Sequence, residues 1–129
     1  MIMIISKVSY INSIHINEKY PSTYLLSNGD VFLVTENGFR LYDSNLQTMK
    51  NYYNFPSDEQ KITSSMEAEL TSISQYSDGI IIVLVKKIFY VLSPSGNYIF
   101  QDNLSSFLPN GRYFNLIHIY MILPYIIIL

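Results

Sequence analysis

Cysteine and tryptophan are both absent from the chain. The first absence removes disulfide frameworks, thiolate nucleophiles and cysteine-ligated zinc together, and it leaves the redox compartment unreadable. Charge is also scarce: Asp, Glu, Lys and Arg make up 14% of the 129 residues, against about 25% in an average soluble domain. Eight basic residues against ten acidic ones leave a net charge of −2. Such a balance creates no field that attracts phosphate backbones, so generic nucleic-acid binding is disfavoured. Glycine occurs five times, never as G-x-G-x-x-G or G-x-x-x-x-G-K, so no phosphate-cradling loop is present. No G-x-S-x-G elbow occurs either. Alanine appears once, as Ala68, while Ile, Asn, Tyr and Ser abound. That usage has the look of AT-rich coding and warns against assigning chemistry to every Asn or Ile.

What is present is oily side chain. Apolar residues make up 49% and aromatics 15%, enough for one core in one domain and too much for wholesale disorder. Met1 to Ile5 is apolar, but Ser6 and Lys7 interrupt it before the roughly 7–15 residues of a secretory h-region. No signal peptide is expected, and a cytoplasmic location is slightly favoured. Leu116 to Leu129 reads LIHIYMILPYIIIL, fourteen residues in which only His118 and Pro124 are not apolar. A spanning helix needs about 20 apolar residues and avoids an internal proline. The segment is set apart as an apolar C-terminal tail, 116–129, following a single β domain over 1–115.

Internal similarity is the most informative feature. Ser27-Asn28-Gly29-Asp30-Val31-Phe32-Leu33-Val34 recurs fifty positions later as Ser77-Asp78-Gly79-Ile80-Ile81-Ile82-Val83-Leu84. The same offset aligns Phe39 with Phe89, Leu41 with Val91 and Ser44-Asn45 with Pro94-Ser95. Repeat units are read at about 20–55 and 71–103, with a polar insertion, 56–70, between them. A further turn at Pro109-Asn110-Gly111 follows Gly79 by 32 positions at its glycine. The insertion holds Ser57…Gln60 and Ser64…Glu67, the S-x-x-E/Q spacing that caps a short helix.

Each unit reads as strand, Asn-Gly or Asp-Gly turn, strand, short turn, strand, turn, strand. Val31–Thr35 and Phe39–Tyr42 flank Glu36-Asn37-Gly38, where Asn-Gly is expected to supply positive φ for a tight hairpin. Ile80–Val85 and Ile88–Leu92 flank Lys86-Lys87 in a run apolar enough for burial on both faces. Asn97 to Gln101 returns as a strand, and Val8–Ile16 and Thr23–Leu26 precede the first unit. The fold class is therefore all-β, built of antiparallel four-stranded hairpin units with a short polar or helical insertion. Strand alternation and the repeat nominate Val31, Leu33, Phe39, Leu41, Ile81, Val83, Phe89, Val91 and Ile99 for the core.

Asn28-Gly29, Asn37-Gly38 and Leu41-Tyr42-Asp43 in the first unit, with Asp78-Gly79 and Ser95-Gly96 in the second, resemble blades of a β-propeller of the broad WD40 or PQQ-like kind. There is no Trp-Asp and no Gly-His, and Leu92-Ser93 stands where a second Tyr-Asp would fall. The resemblance names no specific family and carries over no functional residue. A propeller closes with about four to eight blades, and two are counted. The remainder would come from oligomerisation, another protein or a longer parent. A small β-sandwich or meander is the alternative.

Candidate chemistry is sparse. His15 and His118 sit in separate apolar contexts without the spacing that zinc ligation wants. Asp58, Glu59, Glu67 and Glu69 gather in the insertion, where a solvated segment accounts for them. The twelve tyrosines are favoured strand residues and lack the basic groove of a single-strand binder. The sequon Asn103-Leu104-Ser105 is silent without secretion. No catalytic, metal or cofactor residue is nominated. The expected function is a non-enzymatic protein-interaction or scaffold module. It would meet an unknown protein partner, or itself, through open strand edges, with the insertion as a contact loop. A membrane-associated protein anchored by the tail is the alternative, and a truncated gene product the other.

Overall fold

A computed structural model of the chain describes residues 2–6 and 9–107, with side-chain surroundings from residue 13 to residue 105. The described chain is nearly all β. β1 (Ile2–Ser6) and β2 (Ser9–Ile14) form an antiparallel hairpin. β3 (Ser22–Leu25), β4 (Val31–Thr35), β5 (Gly38–Tyr42) and β6 (Met49–Asn54) make an antiparallel sheet in sequence order. β7 (Ser72–Gln75), β8 (Ile81–Val85), β9 (Ile88–Leu92) and β10 (Tyr98–Asn103) make a second. Between them lie a 3-10 turn, Asp58–Gln60, and α1 (Ser65–Glu69); a second 3-10 turn, Leu104–Phe107, follows β10. No helix among the described residues is long and apolar enough to cross a membrane. The tail 116–129, His118 and the turn at Asn110-Gly111 lie outside the described residues.

The first three strands of the two sheets begin and end fifty residues apart, and so do their turns. Gly29 and Gly79 take φ of 95° and 92°, where a glycine meets no Cβ penalty. Just before each, an Asx side chain closes the turn: Asn28 Oδ1 accepts from Asp30 N at 2.9 Å, and Asp78 Oδ1 from Ile80 N at 3.1 Å. Leu46 N donates to Asp43 O as Gly96 N donates to Ser93 O. Both sheets also carry a bulge on the fourth strand. Leu41 pairs with Asn51 and Tyr42 with Met49, leaving Lys50 extra; Val91 pairs with Phe100 and Leu92 with Tyr98, leaving Ile99 extra.

In the first hairpin the Asn-Gly pair supplies the expected positive φ, at its glycine. The two-residue loop is Glu36-Asn37, since Thr35 pairs with Gly38, and the positive φ, 151°, falls on Gly38 inside β5. Thr35 Oγ1 stabilises the loop by accepting from Asn37 N at 3.1 Å. In the second hairpin Lys86 itself is left-handed, at φ 59°.

The core sits between the sheets. Phe32, Val34, Phe39 and Leu41 from the first pack with Ile81, Val83, Val85, Tyr90 and Leu92 from the second. Eight of the nine nominated core residues are buried; Ile99 is 49% exposed. As the extra residue of a bulge it loses its place in the alternation, which the repeat could not reveal. The buried residues do not all share one face. Register places Phe32 opposite Leu41 and Val34 opposite Phe39, so Val31 and Leu33 lie on the other face, with Leu46. Likewise Phe89 and Val91 face away from the shared core, in a cluster with Ile82 and Leu84. A strand buried on both faces has no alternation from which to read direction.

The insertion is not a solvated loop throughout. Ile62 is 1% exposed and belongs to the core, and Gln60 is buried, donating Nε2 to the Tyr90 hydroxyl at 2.9 Å. Ser64 caps α1 by accepting from Glu67 N at 3.2 Å, as its spacing foretold.

Residues just before β3 lie over the outward face of the first sheet, where Ile14 and Ile16 pack on Val31, Leu33 and Leu46. Glu18 secures this segment: its carboxylate accepts from Thr35 Oγ1 at 2.5 Å, Asn37 Nδ2 at 3.1 Å, and Arg40 Nε and Nη2 at 3.1 and 3.0 Å. Partial burial pushes the Glu18 carboxyl up, but the hydrogen bonds from Thr35 and Asn37 and the Arg40 charge outweigh it and hold the group below its ordinary value. A depressed folded-state pKa stabilises the fold above the unfolded value and loses that contribution as pH falls through the folded one. Wild-type melting temperature should therefore fall more steeply below about pH 4.5 than that of Glu18→Gln. Parallel acid limbs in a pH series of thermal melts would remove Glu18 from the account.

Candidate functional site

The fourth strands carry the most distinctive surface. β6 and β10 each end their sheet among the described residues. Of the eight large apolar side chains exposed there, five stand on these two strands: Met49, Tyr52, Tyr98, Ile99 and Phe100, at 40–60% exposure. Ile99 is the extra residue of the β10 bulge, where the alternation of side chains between the two faces is interrupted.

Side chains bridge the two strands across the gap. Tyr53 and Tyr98 stack with ring centroids 4.9 Å apart and planes 5° from parallel. Their hydroxyls and Gln60 Nε2 converge on Gln101 Oε1, at 3.3, 3.5 and 3.5 Å. Asn51 Nδ2 donates to Ser95 O at 3.1 Å and Asn97 Oδ1 at 2.9 Å. Beneath this layer burial pushes the Tyr90 phenol up to about 12, despite its hydrogen bond from Gln60, and raises Tyr53 as well. Both phenols thus stay neutral, and the rim joins aromatic faces to uncharged amides over the buried core.

Two clefts open at the hairpin end of the sheets. One, of about 310 Å³, is lined by Glu18, Asn37, Arg40, Asn54, Phe55 and Lys61. The other, of about 420 Å³, is lined by residues including Glu67, Leu70, Lys86, Lys87 and Ile88. Their central cations are engaged by the protein itself. Arg40 is forked on Glu18; Lys86 Nζ donates to Glu59 O at 2.7 Å and Lys61 O at 3.0 Å, with Glu67 Oε2 at 3.7 Å. These groups tie the insertion and the chain before β3 to the sheets.

The residues weighed for chemistry are dispersed. His15 is exposed just after β2. Asp58 pairs with Lys61 at 3.2 Å. Glu67 closes α1 by accepting from Thr63 N and Oγ1 at 2.8 and 2.9 Å, which with Lys86 lowers its pKa. Asn103 of the sequon is exposed at the end of β10. No group of three or more His, Cys, Asp or Glu suited to a metal ion occurs among the described residues. The rim itself was not nominated from sequence. No protein-family model, no curated protein and no solved structure matches the chain.

Proposed function

We propose that this protein is a non-enzymatic interaction module, two propeller-like sheets that bind a protein partner along the rim formed by β6 and β10. The observation that carries this reading is the concentration of exposed apolar side chains on two adjacent edge strands. An edge strand can take up a strand of a partner, and aromatic residues with few charges nearby are the usual anchors of an interface. Bulges restrain uncontrolled edge pairing, favouring a chosen partner over aggregation.

The test is a comparison of the full chain with its Tyr52→Asp/Ile99→Asp variant as immobilised baits, with recovered proteins quantified by mass spectrometry. Both positions are exposed, so equal melting temperatures are expected. Recovery of specific partners should drop about thirtyfold, the effect of losing one anchor worth 2 kcal/mol. Equal recovery by the two baits, or no specific partner for either, would refute the rim as a binding surface.

A further inference from the structure

The loop between β8 and β9 sets two lysines side by side, since Val85 pairs with Ile88, and it sends their side chains different ways. Lys86 is left-handed, and its partly buried side chain crosses to the insertion. There Nζ donates to Glu59 O and Lys61 O at 2.7 and 3.0 Å and lies 3.7 Å from Glu67 Oε2. Lys87 is exposed, and its side chain has no hydrogen bond or ion pair among the described residues. The first sheet treats the same position otherwise. Asn37, the counterpart of Lys87 fifty positions earlier, donates Nδ2 to the Glu18 carboxylate at 3.1 Å, so that loop holds a carboxylate which the chain itself supplies. In the second loop a full ammonium stands at this position, and no carboxylate of the described residues answers it.

Lys87 borders the cleft of about 420 Å³, a volume within the roughly 300–1,000 Å³ of small-molecule sites. Its wall is apolar at Leu70, 66% exposed at the end of α1, and at Ile88, the first residue of β9. The charges around it are of both signs. Glu67 is engaged by Thr63 and Lys86, whereas the carboxylate of Glu59, exposed on the insertion, has no partner among the described residues. Glu59 and Lys87 do not pair with each other across the cleft. One open ammonium and one open carboxylate thus flank an apolar wall. That pattern complements a zwitterion with an apolar body, while an anion or a hydrocarbon alone would leave a charge unanswered.

We propose that this cleft binds a free α-amino acid with a branched apolar side chain, its carboxylate on Lys87 Nζ, its ammonium on the Glu59 carboxylate and its side chain against Leu70 and Ile88. The ligand's carboxylate takes the part at Lys87 that Glu18 takes at Asn37. The cleft touches the rim only through Asn103, the last residue of β10, so the bait experiment and the following one fail separately. The full isotopically labelled chain is titrated with L-leucine, with isocaproate, which lacks the ammonium, and with isoamylamine, which lacks the carboxylate, while backbone amide resonances are followed. L-Leucine should shift the amides of Leu70, Lys87 and Ile88 along one saturable curve. Each single-charge probe should bind about fivefold more weakly, the worth of one exposed ion pair. Lys87→Gln should erase the advantage of L-leucine over isoamylamine, and Glu59→Gln its advantage over isocaproate. Both side chains are exposed, so unchanged melting temperatures are expected of the variants. Absence of saturable shifts, shifts centred away from the cleft, equal affinity for L-leucine and either probe, or contrasts that persist in the variants would overturn the proposal.

Discussion

Gly38→Ala should cost about 4 kcal/mol, at the limit of what single substitutions do, and lower the folded-to-unfolded ratio about a thousandfold. Two causes add. At φ 151° the residue occupies backbone space that L side chains rarely enter. A Cβ there would lie 2.0 Å from Tyr53 O and 2.9 Å from Asn54 Cα, both backbone atoms of β6. They cannot withdraw without parting β5 from β6 at the Gly38–Asn54 pair. Retreat would also pull Tyr53 from Phe39, whose rings stack at 5.6 Å, and from Arg40 Nη1, which donates to Tyr53 O at 3.3 Å. Gly29→Ala is the control: its φ is 95°, but its Cβ would meet only Ser44 Cβ at 3.6 Å, so about 1 kcal/mol of backbone strain is expected. Urea unfolding of the three chains decides the matter. Equal losses at both glycines would mean that conformation alone, without the close approach of β6, sets the cost.

Phe39→Ala should cost a comparable amount, about 4 kcal/mol. Phe39 is 2% exposed and its ring centroid lies 5.1–5.6 Å from those of Phe32, Tyr53, Phe55 and Tyr90. Edge-on contacts to Phe55 and Tyr90, both at 84°, set ring edges against ring faces, an arrangement worth about 1 kcal/mol beyond burial. Truncation opens a cavity where both sheets and the segment after β6 meet, and rigid neighbours fill such a cavity poorly. Phe39→Leu should lose less. A double-mutant cycle with Tyr90→Ala should return a coupling of about 1 kcal/mol. Additive losses in urea titrations would show that the rings do not act together.

The same residue shows how the sequence and the fold divide the information. Phe39 is legible as buried because it repeats as Phe89 and sits in a hairpin flanked by turn residues. Yet Phe39 lies in the shared core and Phe89 on the far side of the second sheet. Local chemistry is the same at both positions; what differs is which neighbour lies above it. Asn28-Gly29 and Asp78-Gly79 were readable because a left-handed glycine and an Asx side chain close a turn without help from afar. Ser64 was readable as a cap for the same reason. Gln60 and Ile62 were hidden in a polar segment because their burial depends on Tyr90, thirty residues ahead, and on a core formed by other strands.

The sequence by itself determined the all-β class and the places of β2 to β5 and β8 to β10, since alternation, turn chemistry and capping act over a few residues. Tertiary structure alone decided which face of each strand meets the other sheet, that Ile99 turns outward at a bulge, that Gly38 lies against the β6 backbone, and that Tyr53, Tyr98, Gln60 and Gln101 converge on one rim. Those outcomes depend on register and on contacts between residues far apart in the chain, and a strand that is apolar on both faces carries no local preference between them.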